Sequence, residues 1–238
     1  MILVIKQVNL EGLGVFSFFL REKNIKLNIV SMENKQVLPP LEKCKGIIAL
    51  GGPMNVYQEK KYPFLREEEN YLKQALQRQI PILGICLGAQ LLAKVSGAKV
   101  TKAKKEEIGW YEVNLQEKAK RDPLFAGLDK ELIVFQWHQD TFDLPKRSVL
   151  LATSKGCKNQ VFRVGKNSWG LQFHPEMNKK QIISWIKNYD SNLDKDKIID
   201  QYFRYQDKYF DQSKKICSNF MELIIKRIKT KTSNFKTW

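Results

Sequence analysis

Histidine is almost missing from this sequence: only two occur in 238 residues, His138 and His174. Any chemistry that needs an imidazole is confined to those positions. Cysteine is scarce as well. Cys44, Cys86, Cys157 and Cys217 are widely scattered and none forms a C-x-x-C pair, so neither a zinc site nor a disulfide framework is expected, and no metal or cofactor is called for. Reduced thiols in the cytoplasm fit that usage. Long apolar runs are absent too: nowhere do 18 apolar residues follow one another, and the opening MILVIKQVNL has no basic stretch ahead of its apolar residues. Neither a membrane span nor an export signal is expected. No G-x-x-x-x-G-K phosphate loop occurs, so a synthetase module fused in the same chain is not expected. Acidic residues are outnumbered, 25 against 41 Lys and Arg, which leaves a net charge of +16. Such a balance raises nucleic acid as a partner. Only 8 of the 41 are Arg, however, the charge is spread along the chain, and no recognised nucleic-acid-binding motif occurs. A solvated basic surface is the expectation, with no nucleic-acid partner.

What is present starts with a hydrophobic content of 43%, in a chain long enough for one large α/β domain with or without an extension. Its most telling stretch is IPILGICLGAQLLAK, residues 80 to 94. An apolar strand-like run stops at Gly84, Cys86 follows, and Gly88 leads into a helix-like run. G-x-C-x-G in that setting is the thiol form of a nucleophile elbow, where flanking glycines let the backbone fold tightly around an exposed reactive group. A thiol at a helix N-terminus is biased toward thiolate, and the free N–H groups there can cradle an oxyanion. On the motif alone, a buried structural cysteine and a nucleophile both remain open.

Around the elbow the order is β-α-β: a strand at 2–6, a helix at 14–21 and a strand at 25–31. That order points to a parallel sheet with crossover helices. A further buried strand at 46–50 runs into Gly51-Gly52-Pro53-Met54, a loop at the carboxyl end of its strand, where open parallel sheets bind ligands. An ordinary tight turn is the competing reading of that loop. A helix ending near Gln79 precedes the elbow strand, and Gly97 reads as a helix stop. Lys99 to Lys105 reads as a basic connector. From Ile108 onward, short alternating or aromatic segments separated by turn residues read as strands, several of them antiparallel. The last delivers Gly170-Leu171-Gln172-Phe173-His174-Pro175-Glu176. In an extended segment His174 and Glu176 project to the same side. A carboxylate on one ring nitrogen would fix the tautomer while the other nitrogen takes a thiol proton.

Taken together, Gly51-Gly52-Pro53, Gly84-Ile85-Cys86-Leu87-Gly88-Ala89-Gln90 and His174-Pro175-Glu176 resemble the class I, or triad, glutamine amidotransferases. Glu-Ile-Gly-Trp at 107–110 and Trp-His-Gln-Asp-Thr-Phe at 137–142 are similar to the free-standing, GMP synthase-like branch. The likeness spans roughly residues 1–189. It implies a flavodoxin-like α/β fold, with a mostly parallel central sheet flanked by helices and a smaller antiparallel region. It also implies that Cys86 attacks the side-chain amide of glutamine, forming a γ-glutamyl thioester and releasing ammonia for a synthetase partner in trans. His174 would serve as base and then acid, with Glu176 orienting it. The backbone N–H groups of Gly52 and Leu87 would form the oxyanion hole. Gln90 and Asp140 would hold the α-amino and α-carboxylate groups, with His138 nearby. A free-standing hydrolase of γ-glutamyl amides or peptides would use the same chemistry. A non-catalytic binding module is disfavoured by the complete triad.

Two departures stand out. Gln7 occupies the place, near the end of the first strand, where the branch often carries a His. Residues 190–238 have no counterpart in the family motifs, and their apolar residues recur at helical spacings. We expect a basic extension of one or two amphipathic helices packed back on the domain, a partner surface or an anionic membrane face being the alternatives, with the triad assembling even when the chain ends at Asp190.

Overall fold

The computed structural model describes residues 1–22, 25–189 and 193–233. Among these residues nine strands form one mixed sheet: β1 (Ile2–Lys6), β2 (Leu27–Ser31), β3 (Gly46–Ala49), β4 (Ile82–Ile85), β5 (Val100–Leu115), β6 (Glu131–Phe142), β7 (Ser148–Thr153), β8 (Val161–Val164) and β9 (Ser168–Leu171). Their spatial order is β2-β1-β3-β4-β9-β8-β7-β5-β6. The first five in that order run parallel, and β8, β7, β5 and β6 pair antiparallel.

Among the described residues five α-helices cover the sheet: α1 (Phe16–Glu22), α2 (Phe64–Gln77), α3 (Leu87–Val95), α4 (Lys179–Tyr189) and α5 (Lys195–Ser233). The parallel strands are apolar on both faces because both faces are covered. Val4, Ile48, Leu83 and Ile85 pack on the side of α1 and α5, with Phe16, Phe19, Phe220 and Ile224. Alternate residues, Leu3, Ile5, Ile47 and Ile82, pack on the other side against Leu65 and Leu72 of α2 and Leu91 and Leu92 of α3. A third apolar cluster joins Trp110 and Phe135 of the β5–β6 ribbon to Trp185 of α4 and to Ile198 and Tyr209 of α5.

One sequence expectation changes and another holds. The basic connector at 99–105 is mostly strand, because β5 begins at Val100 and Lys102 pairs with Asp140 of β6. Its side chains point largely to solvent, so the apolar alternation that marks a buried strand is absent there. The ladder slips between Lys102 and Glu107, a bulge that re-aims Glu107 inward. The tail, whose residues 190–192 and 234–238 lie outside the described ones, is otherwise one 39-residue helix. It supplies Ile216, Cys217, Phe220, Met221 and Ile224 to the main core. Asn219 Nδ2 donates to the carbonyls of Leu124 (2.9 Å) and Ala126 (3.0 Å), and Phe220 meets Trp169 edge-on.

Candidate active site

Between β4 and α3 the chain turns within one residue. Cys86 adopts φ 49° and ψ −107° as the N-terminal flanking residue of α3, a left-handed backbone that a side chain tolerates only under constraint from its surroundings. The constraint is visible in the neighbours. Cys86 N–H donates to Leu171 O at 2.8 Å, and Gly88 approaches β3 so closely that a Cβ there would lie 2.1 Å from Ala49 O. Only glycine permits that approach. The turn lifts Sγ clear of the strand toward the Trp137 carbonyl, 3.6 Å away.

The adjacent strand brings in the base. His174 follows β9 and is fully buried. Its N–H donates to Phe135 O at 2.8 Å, and its carbonyl accepts from Tyr209 Oη at 2.9 Å, so the backbone is clamped from β6 and from α5. Nδ1 lies 2.8 Å from Glu176 Oε1, and Trp185 presents its edge at 90° to the ring, centroids 4.9 Å apart. Nε2 is left for the Cys86 thiol. Burial opposes the imidazolium charge, but Glu176 and Cys86 together hold His174 well above its ordinary range. The arrangement suits a proton carrier between a thiol and a substrate atom.

Gly52 and Leu87 meet beside this pair: a Cβ built at Gly52 would lie 3.0 Å from Leu87 Cδ2 and 2.9 Å from Gln7 Cβ. Among the described residues neither backbone N–H donates to a protein acceptor. Two unsatisfied donors at the mouth of a helix N-terminus suit an oxyanion. Behind them Gln7 is buried and donates to Glu68 Oε2 at 2.7 Å; burial pushes the Glu68 carboxyl up to about 8.

The rest of the wall is built on β6, the strand that also clamps His174. Asp140 Oδ2 accepts from Asn55 Nδ2 at 2.8 Å, and Oδ1 accepts from Tyr57 Oη at 3.2 Å. Gln90 Nε2 donates to Asp140 O at 3.3 Å. His138 is held on both sides, Nδ1 2.9 Å from Asp140 O and Nε2 3.0 Å from Glu107 Oε2. Burial works against the Glu107 charge, yet bonds from His138, Ser154 and Gln160 hold its carboxyl below the ordinary range. Cys157 Sγ is close enough to Glu107 and His138 for the three to share one cation, but doing so would break the His138–Glu107 bond.

These groups enclose a cavity of about 200 Å³, lined by Cys86, His174, Gln90, His138, Asp140, Gly52 and seven others, of amino-acid scale rather than the ~300–1,000 Å³ of larger ligands. All eight residues singled out from the sequence thus gather in one region: those six line the cavity, Glu176 stands behind His174, and Leu87 lies at the edge. Sequence reasoning missed Glu11, Asn55, Tyr57, Glu107, Trp185 and Tyr209 as members of the site. Of these only Glu107 falls in a stretch that carries the family resemblance, and the others sit in no motif.

The geometry has counterparts among known proteins. The family model described as Glutamine amidotransferase class-I matches residues 19–188. A protein of Sulfurisphaera tokodaii, named as a subunit of glutamine-hydrolyzing GMP synthase, is 35% identical over 170 residues, covering 70% of this chain and 86% of the relative. A glutamine amidotransferase-like protein of Salmonella typhimurium is 28% identical over 187 residues, covering 77% and 78%. The crystal structure of a glutamine amidotransferase from Thermotoga maritima superposes with a TM-score of 0.86 at 36% identity, covering 93% of this chain and 97% of that one. Longer GMP synthases also match, and the chain spans only 26% to 33% of their length.

Proposed function

The chain belongs to the class I glutamine amidotransferases, cysteine hydrolases acting on glutamine, and from that premise we propose that Cys86, His174 and Glu176 form its catalytic triad. Cys86 Sγ attacks the side-chain carbonyl carbon of glutamine, and the developing oxyanion is held by the N–H groups of Gly52 and Leu87. His174, oriented by Glu176, carries the thiol proton to the departing nitrogen, and ammonia leaves. The γ-glutamyl thioester then takes up a water molecule, which His174 deprotonates, and glutamate is released. Asp140, fixed by Asn55 and Tyr57, holds the α-ammonium group, with Gln90 and His138 setting the position of its strand.

The ammonia passes to a separate acceptor enzyme. In support, the relative from Sulfurisphaera tokodaii bears the name of one subunit of a GMP synthase. A cytoplasmic setting, which keeps Cys86 reduced, suits the chemistry. Residues 1–189 make up the amidotransferase domain in this reading, and 190–238 an extension that completes its core.

The observation that carries the proposal is the His174–Glu176 bond at 2.8 Å beside a left-handed Cys86 at the head of α3. The experiment is glutamine hydrolysis, followed as ammonia and glutamate release, by the chain and by Cys86→Ala. Turnover lost in the variant is expected. Turnover retained would remove Cys86 from the reaction.

A further inference from the structure

One group in the cavity takes no part in the chemistry just described. Glu11 lies in the loop after β1, is 5% exposed, and lines the cavity together with Cys86 and His174. Among the described residues its carboxylate has no hydrogen-bond or ion-pair partner. A buried, unpartnered carboxylate is costly to keep unless something binds to it. Burial pushes it up to about 8, with His174 opposing the shift and Glu176 adding to it.

Its place relative to the reacting atoms is defined by the chain. Val15 N–H donates to Glu176 O at 2.7 Å, so the loop bearing Glu11 is tied to the segment bearing the base and its orienting acid. Asp140 is held by Asn55, Tyr57 and Gln90. The nitrogen that leaves receives its proton from His174, and Glu11 is the lining carboxyl whose loop is tied to the His174 segment and that feels the His174 charge. Among the described residues no Lys or Arg lines the cavity; Lys6 acts on Glu11 only from outside it, without an ion pair. Glu11 and Asp140 are the two carboxyl groups among the residues lining the cavity, and with Asp140 assigned to the glutamyl end, Glu11 is the one left for the amine end.

We propose that Glu11 forms a leaving-group subsite that selects γ-glutamyl amides whose amine half carries a second positive charge, as in the mono-amide of a short diamine. This extends the triad reading above and is independent of where ammonia goes. A distal ammonium would favour the ionised form of Glu11 that burial disfavours, at short range and away from water, where a charge-assisted bond is strong. A leaving group that ends in a carboxylate, as in a γ-glutamyl amino acid, would offer no such bond and would oppose ionisation of Glu11.

Binding is measured by calorimetry with Cys86→Ala, which cannot turn the ligands over, using glutamine, mono-γ-glutamyl-1,4-diaminobutane and γ-glutamylglycine. The diamine amide is expected to bind at least about tenfold more tightly than γ-glutamylglycine. In Cys86→Ala/Glu11→Gln, with each affinity taken relative to glutamine in the same protein, that ratio falls to within about threefold. Equal affinities in the Glu11 protein, no binding of the diamine amide, or a ratio unchanged in the double variant would overturn the subsite. Glutamine turnover by the unaltered chain is assayed in parallel. Its absence alongside an intact binding preference would count against the triad reading and leave the subsite standing.

Discussion

His174 is the residue on which charge and geometry converge. Its raised basicity comes from Glu176 and Cys86 working against burial. Activity that depends on the protonated ring therefore persists well above the ordinary histidine range before falling. Replacing Glu176 by Gln removes the larger favourable partner, so we predict that the alkaline limb of the kcat/KM profile for glutamine moves to lower pH. The maximum rate should drop about 10²–10⁴-fold. A limb that does not move would show that Glu176 does not set the state of His174. Glu68 is shifted in the same direction for the opposite reason, burial favouring its neutral form. Its carboxyl titrates near 8 in the folded chain, far above the unfolded value, so the native state holds a proton there that the unfolded state has lost. The resulting stability is full below about pH 4.5 and is lost as pH rises toward 8. In Glu68→Gln we predict a shallower decline of urea-unfolding stability over that window, by the order of a few kcal/mol. The motifs made Cys86, His174 and Glu176 legible in the sequence, because strand, turn and helix signals converge on them. Glu11 and Tyr57 were not, because nothing local marks a carboxylate or phenol whose partners lie far along the chain.

At the scale of elements, the elbow depends on how closely α3 approaches β3. Gly88→Ala would place a methyl 2.1 Å from Ala49 O, so the helix or the strand has to move. We predict a loss of at least about 1–3 kcal/mol in stability, and near-complete loss of activity measured at a temperature where the variant is still folded. Normal activity would mean the turn can open without disturbing Cys86. The parallel strands were readable because both faces are buried and their sequences are continuously apolar. The start of β5 was not, since its lysines face solvent on a ribbon and mimic a polar connector. Amphipathic spacing in the tail announced a helix. It could not announce that the hydroxyl of Tyr209 reaches His174 O at 2.9 Å, because spacing specifies a face and not a partner. Tyr209→Phe leaves that buried carbonyl one donor short. We predict about 1–3 kcal/mol of destabilisation and a fall in kcat larger than any rise in KM. A change in KM alone would mean that the clamp does not act through the base.

For the molecule as a whole, α5 makes the tail part of the fold's centre. Five of its buried side chains, Ile216, Cys217, Phe220, Met221 and Ile224, enter the main core. At about 1.5–3 kcal/mol for each large apolar side chain, their burial is comparable with the roughly 5–15 kcal/mol by which a domain is stable at all. The expectation that the triad assembles in a chain ending at Asp190 therefore changes. We predict that such a truncation lacks a cooperative thermal transition by circular dichroism, and a cooperative transition with retained glutaminase activity would show that α5 is dispensable. None of the helices, within the described residues, is long and apolar enough to cross a membrane. The central claim remains that the thiol at the head of α3 is the nucleophile. Its most direct test is peptide mass spectrometry after treatment with 6-diazo-5-oxo-L-norleucine, a glutamine-shaped diazoketone that alkylates an attacking thiol. We predict a single adduct on Cys86, prevented by excess glutamine and abolished in His174→Ala. An adduct on Cys157 instead, or an unlabelled Cys86 in protein that still hydrolyses glutamine, would contradict it.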